Sequence, residues 1–237
     1  MASENISGPR EKLRPRPQAN TPGEIIGTTA GLVLRFARDD DAEAIIALVS
    51  AVWSEYPGKT LVAAADMPEL LQPATAYTRC DGRFWVVEAG QSPRKEIIGT
   101  VALQPSAETG VVELQKLYVA RDMRKNGLGG FLCHLVEREA RERGAHAIEL
   151  WSDVKLLDAH RRYERRGYQR GEMLKTYADT SGTVRYYYRK ELDPELPDRP
   201  DRPEEGRRNR APDDIDRWQA LFQLGAGGGT SLGTAKS

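Results

Sequence analysis

Residues 124–130, Arg124-Lys125-Asn126-Gly127-Leu128-Gly129-Gly130, put two cations and three glycines into one short stretch. They stand between a strand-like run, VVELQKLYVA, and a helix-like run, FLCHLVEREARERG. Glycine weakens the interior of a strand or helix, and is useful where backbone turns tightly or approaches another group closely. At a helix start, unpaired N–H groups and the helix dipole favour negative charge. Gly127, Leu128, Gly129 and Gly130 can therefore turn backbone donors toward one anion, with Arg124 and Lys125 adding formal charge. A pyrophosphate suits such a cradle. A solvated turn also fits these residues taken alone. The Lys-Ser/Thr that closes a P-loop is absent, and the spacing does not match the dinucleotide fingerprint.

The elements that must hold this loop alternate along the middle of the chain. LVLRFAR (32–38) predicts a strand and DDDAEAIIALVSAVWSEY a helix, with Ala42, Ile45, Ile46, Val49 and Trp53 at helical spacing. MPELLQPATAY predicts a second short helix, and RFWVVEA, EIIGTVALQ and VVELQKLYVA predict three strands. A helix from Gly129 to Arg143 buries Phe131, Leu132, Leu135 and Val136 and stops at Gly144. AIELWS reads as a strand, and DAHRRYERRG as a short helix capped by Asp158 and stopped by Gly167. YQRGEMLKTY and TVRYYYRKEL flank ADTSG as a final hairpin. The class is α/β (α+β): a mixed sheet with helices on its faces.

Composition bounds the rest. Of 237 residues, 39% are hydrophobic and 30% charged, polar for a globular chain, and the excess sits at the two ends. Residues 1–30 read as a flexible arm rich in Pro, Gly and charge, and 31–192 as the domain. Residues 193–237 read as a Pro- and charge-rich flexible tail with a short helix at 213–224. In that helix Ile215, Trp218 and Phe222 share one face behind an Asp cap. An exposed Trp–Phe pair lowers solubility, which favours docking on its own domain over docking on a partner. Composition otherwise predicts that 1–27 and 195–237 can be removed without loss of the fold. Lys plus Arg and Asp plus Glu number 35 each, which argues against a general nucleic-acid or membrane binder. Cys80 and Cys133 have neither metal-ligand nor disulfide spacing. No signal-peptide core or membrane-length apolar run is present, so a cytoplasmic protein is expected and the NIS triplet at 5–7 is taken as accidental. Composition does not separate monomer from homodimer.

Arg124-x-x-Gly127-x-Gly129 matches the R/Q-x-x-G-x-G/A pyrophosphate motif of the GCN5-related N-acetyltransferase (GNAT) family, and LYVARDM before it looks like that family's lead-in. DAHRRYERRGY resembles the family's A-x-x-x-Tyr-Glu-x-x-Gly-Phe segment, with Ala159, Tyr163, Glu164, Gly167 and Tyr168 in register. The similarity spans about residues 32–191 and neither end. It implies a mostly antiparallel sheet of six to seven strands with helices on both faces. It implies acetyl-CoA as cosubstrate, bound by strand backbone at Leu117, Tyr118 and Val119, where the strand splays from its neighbour, and by Arg124, Lys125, Asn126, Gly127, Leu128, Gly129 and Gly130. One departure is Leu156, where the family often carries an Asn.

Acetyl transfer to an amine needs a neutral nucleophile and a proton for the departing thiolate. Tyr163 matches the family's general acid. Glu113, on the strand before the cradle, and Asp153, placed like a Glu after LW in ribosomal-protein N-terminal acetyltransferases, are the candidate bases. His160 reads as a surface residue, and Cys133 as a buried helix residue unsuited to a covalent route. RRYERRGYQR reads as a solvated face, available also to the phosphates of CoA. Trp53, Glu55, Tyr56 and Asp66 are available to line an acceptor pocket. The function expected is N-acetyl transfer to a primary amine of a small molecule, amino acid or protein. The alternative is a non-catalytic acyl-CoA-binding module on the same fold, against which Tyr163 speaks.

Overall fold

The computed structural model describes residues 12–14, 21–29, 31–90, 96–192, 218–220 and 222. Its strands are β1 (Ile25–Thr29), β2 (Leu32–Phe36), β3 (Arg83–Ala89), β4 (Glu96–Pro105), β5 (Val111–Val119), β6 (Ala147–Asp153), β7 (Gln169–Thr176) and β8 (Val184–Glu191). All eight belong to one sheet in the order β1-β2-β3-β4-β5-β6-β8-β7. Every neighbouring pair is antiparallel except β5 and β6, which run parallel. Parallel neighbours need a crossover, and here it is the helix that follows the glycine loop.

The sheet is one strand larger than expected, and the extra strand is β1. Ile25–Thr29 lies inside the expected N-terminal arm, yet it pairs with β2 from Thr29↔Leu32 to Ile25↔Arg35. Five residues interrupted by Gly27 are too few to show a period-two pattern.

The helices between the strands are α1 (Ala42–Ser54), α2 (Ala63–Asp66), α3 (Pro73–Arg79), α4 (Leu128–Glu142) and α5 (Leu157–Arg165). The segment expected as one helix at 67–77 divides, because Pro68 and Pro73 each open a separate piece: a 3-10 turn at Pro68–Leu71 and then α3. α4 buries Phe131, Leu132, Leu135 and Val136 on one face of the sheet, against Val112, Leu114 and Ile148. α1 buries Ile45, Val49 and Trp53 on the other, with Phe84, Val86 and Ala102. Asp158 is not the cap of α5. Leu156 takes that position, and Asp158 is exposed in the first turn.

Trp218 and Phe222 belong to the α4-side core. Both rings stack on Phe131, with centroids 6.0 and 5.5 Å away, and a Cβ at Gly27 would overlap the Phe222 backbone. Two rings of the segment 195–237 thus fill space beside Phe131 and β1. Ile215 and the rest of the expected helix lie outside the described residues.

Two irregularities in β5 shape the site. Its ladder to β6 runs from Val111↔Ala147 only to Glu113↔Glu149, although β6 itself continues to Asp153. Beyond Glu113 the two strands diverge. On the β4 side, Thr100 pairs with Tyr118 and Ala102 with Gln115, so β5 carries one residue more than β4 between those pairs. The bulge is set by Lys116, a non-glycine at φ +52°, whose carbonyl accepts the Thr100 hydroxyl at 2.8 Å.

Candidate active site

The glycine loop enters α4 through Gly127, which occupies the cap position at φ +89°, a left-handed conformation that side chains disfavour. Lys125 is also left-handed, at φ +63°. The Leu128 N–H donates to the Asn126 side-chain oxygen at 3.2 Å, and the Phe131 N–H makes the first helical bond, to Gly127 O at 3.0 Å. Asn126 is itself tethered, because the Trp218 indole N–H donates to its carbonyl at 2.9 Å. Arg124 does not offer its charge freely to the loop. Its guanidinium forks onto Glu55, with both N–O distances 2.7 Å, and its Nε–H reaches Val119 O at 2.9 Å.

Another arginine takes that role. A Cβ at Gly129 would lie 2.9 Å from the guanidinium carbon of Arg162, which reaches over from α5. Arg162 has no carboxylate partner among the described residues. A cation at a helix N-terminus opposes the dipole and the unpaired N–H groups there. An anion would relieve both, so the arrangement fits a phosphate-bearing ligand.

Where β5 leaves β6, a cavity of ≈ 220 Å3 opens. Glu113, Leu117, Tyr118, Asp153 and Tyr163 all line it, whereas Val119 and Arg124–Gly130 lie outside its wall, along the loop. Tyr163 is buried, and burial pushes its phenol far above the ordinary range, so it stays protonated at neutral pH. Burial also raises the Glu113 carboxyl, although the Gln115 and Gln104 side chains oppose the shift by hydrogen bonding. Asp153 is differently placed. Its carboxylate pairs with the buried Lys59 ammonium and accepts the Lys155 N–H at 2.9 Å. Trp53, Tyr56 and Asp66 line the cavity as expected, while Glu55 is committed to Arg124.

A family model described as "Acetyltransferase (GNAT) family" matches residues 45–168. This chain belongs to the GNAT acetyltransferase family. Among curated proteins it is 33% identical over 153 residues to "Probable N-acetyltransferase camello" of Xenopus tropicalis, covering 60% of this chain and 67% of that protein. It is 34% identical over 87 residues to the aminoalkylphosphonate N-acetyltransferase of Salmonella typhimurium, covering 35% of this chain and 56% of that protein. Among solved structures, a GNAT acetyltransferase of Staphylococcus aureus superposes with a TM-score of 0.57 at 19% identity, over 68% of this chain and 99% of that one. The Salmonella typhimurium protein yncA, solved with its cofactor acetyl-CoA, superposes with a TM-score of 0.53 at 16% identity, over 72% and 99%. At these identities the likeness establishes the fold alone. No helix among the described residues is long and apolar enough to cross a membrane.

Within this GNAT domain two side chains differ from their sequence-based reading. His160 is buried, with Nε2 2.9 Å from the Asp153 carbonyl oxygen and its ring beside Tyr186 and Tyr188. Burial lowers its pKa, so it ties α5 to the end of β6 as a neutral ring. The cationic RRYERRGYQR run is not uniformly solvated, since Arg166 is buried against Glu137 at 2.7 Å. Lys59, Trp151, Tyr177, Thr183 and Arg185 line the cavity without having been singled out. Lys59 comes from the loop after α1, Trp151 from β6, and Tyr177, Thr183 and Arg185 from the final hairpin, and no local pattern marks them as neighbours.

Proposed function

We propose that this protein is an N-acetyltransferase that uses acetyl-CoA as cosubstrate and acetylates a primary amine. The observation that carries the reading is the β5 edge beyond Glu113, released from β6 and facing a cavity that Glu113 and Tyr163 share. The released backbone edge along Leu117, Tyr118 and Val119 would hold the thioester and pantetheine groups. The Lys125–Gly130 backbone would hold the pyrophosphate, with Arg162 supplying the charge and Arg124 fixing the loop through Glu55. The cosubstrate supplies an acetyl group activated as a thioester.

The chain's own groups move the protons. Glu113 takes a proton from the acceptor, directly or through water, as an N–C bond forms to the acetyl carbon. The C–S bond breaks with its electron pair leaving on sulfur, and Tyr163 delivers the proton that makes the CoA thiol. Fixed N–H donors on β5 stabilise charge on the acetyl oxygen. Asp153 is the poorer base, because protonating it would strand the buried Lys59 ammonium.

The test is a pH–rate profile of wild type, Glu113→Gln and Tyr163→Phe on an acceptor found by screening amines for CoA release. Glu113 works as a base only when ionised. Wild-type kcat/KM should therefore fall as pH drops through a carboxyl pKa above the ordinary range, the direction burial imposes. Glu113→Gln should lose that acidic limb, and Tyr163→Phe should lower kcat by about 10²-fold with acetyl-CoA affinity unchanged. An acidic limb that survives in Glu113→Gln removes Glu113 as the base. An unchanged single-turnover rate in Tyr163→Phe makes Tyr163 a packing residue.

A further inference from the structure

Seven charged side chains line the cavity, and most are already satisfied. Lys59 pairs with Asp153. Lys116 pairs with Glu69 at 2.5 Å. Asp66 accepts the Thr180 N–H at 2.8 Å, the Thr180 hydroxyl at 2.9 Å and the Val62 N–H at 2.7 Å. Glu113 is shifted toward its neutral form by burial. Arg185 remains. It has no carboxylate partner and no side-chain hydrogen bond among the described residues.

Its surroundings hold it in place without neutralising it. Arg185 stands opposite Asp153 on one side and Lys175 on the other in the β6-β8-β7 ladder. Its guanidinium lies over the Tyr177 ring, 3.9 Å from the centroid. Lys175 joins the same platform, with its ammonium 5.0 Å from Tyr177 and 5.7 Å from Trp151, and it too lacks a carboxylate partner among the described residues. A guanidinium resting on a ring keeps its N–H edge available, and that planar fork matches carboxylate and phosphonate oxygens. Arg185 is also close to the reacting strand. Burial raises the Tyr118 phenol pKa, and the Trp53 N–H and the Arg185 charge both oppose that rise.

We propose that Arg185, supported by Lys175, is the specificity-determining residue of the acceptor site, and that the acceptor is a primary amine carrying an anionic group, a carboxylate or a phosphonate. The anion would rest on the Arg185 fork while the amine reaches the β5 edge near Tyr118. This deepens the N-acetyltransferase reading and rests on it. The chemistry is unchanged: the N–C bond replaces the C–S bond, and one proton moves from nitrogen to sulfur overall.

The experiment uses the full chain as wild type, Arg185→Met and Arg185→Lys. Calorimetry on CoA-loaded protein compares N-acetylglycine, N-acetylaminomethylphosphonate and the neutral N-acetylglycinamide. CoA release is followed in parallel with glycine, aminomethylphosphonate and glycinamide as acceptors. Wild type should bind at least one anionic probe about tenfold or more tightly over the amide, as a charge-assisted contact warrants. The arm with the larger preference identifies the anion. In Arg185→Met the anionic-to-neutral ratio should fall to about one, and Arg185→Lys should restore part of it. Equal binding of all three probes, no binding of any, or a ratio that survives in Arg185→Met overturns the anion site. An Arg185-dependent preference without CoA release would instead preserve the anion site and overturn the transferase reading. CoA release that ignores acceptor charge would do the reverse.

Discussion

Arg162 and Arg166 stand one helical turn apart, on α5 and at its C-cap, and their surroundings are opposite. Arg166 is buried, with Nε and Nη2 donating to the two Glu137 carboxylate oxygens at 3.0 and 2.7 Å. Lys190 adds a third contact to the same carboxylate, at 2.9 Å. Arg162 meets no carboxylate among the described residues and faces the backbone of Gly129 at the positive end of α4. A compensated arginine acts as part of the frame, because removing its partner leaves a charge in the interior. An uncompensated arginine beside unpaired N–H groups is poised for something that arrives from solvent. The same division separates Arg124, locked to Glu55, from Arg185, which rests on a ring.

That contrast is broken most forcefully at Glu137. Glu137→Ala removes the buried carboxylate that Arg166 and Lys190 share and should lower stability by about 3–5 kcal/mol, the range for breaking a buried ion pair. A denaturant midpoint equal to wild type would show that the pair contributes nothing to the frame. Arg162→Met should act the other way round. Acetyl-CoA affinity measured by calorimetry should fall about ten- to a hundredfold, the range for a charged hydrogen bond, without a drop in melting temperature. A stability loss with unchanged affinity would make Arg162 another structural arginine. The smallest effect is expected at Trp218, which holds the loop by a single neutral hydrogen bond. Trp218→Phe keeps the stack on Phe131 and removes the N–H bond to Asn126. Acetyl-CoA affinity should weaken only a few-fold, as for one neutral hydrogen bond of about 1 kcal/mol. No change in that affinity would mean the tail packs beside the loop without positioning it.

Much of the frame was legible because its signals are local. The α4 stripe of Phe131, Leu132, Leu135 and Val136 needed only a period of 3.6, and the glycine loop declared itself by composition at a strand–helix junction. What escaped is non-local. Nothing near Arg124 in the chain says that Glu55 will take its charge, nor does anything near Lys59 point to Asp153. His160 sits among polar neighbours in sequence, and only the fold puts Tyr186 and Tyr188 around it. Docking of Trp218 and Phe222 on their own domain was legible from the cost of exposing them, but the surface at Phe131 and Gly27 that receives them exists only after the sheet has formed.

The bulge at Lys116 carries a consequence of parity. Along β5, even-numbered Val112 and Leu114 enter the α4-side core, and odd-numbered Glu113 alternates to the other face. Past the extra residue the rule inverts: odd-numbered Leu117 and Val119 pack toward α4, and even-numbered Tyr118 joins the α1-side cluster. Side chains in a strand alternate strictly, so without that half-step Glu113 and Tyr118 would look out on opposite sides of the sheet. Substitutions along β5 change one chemical group at a time. Deleting a single residue at Lys116 would instead turn Tyr118 toward α4 and Leu117 and Val119 away from it, so this stretch tolerates changes of letter far better than changes of length.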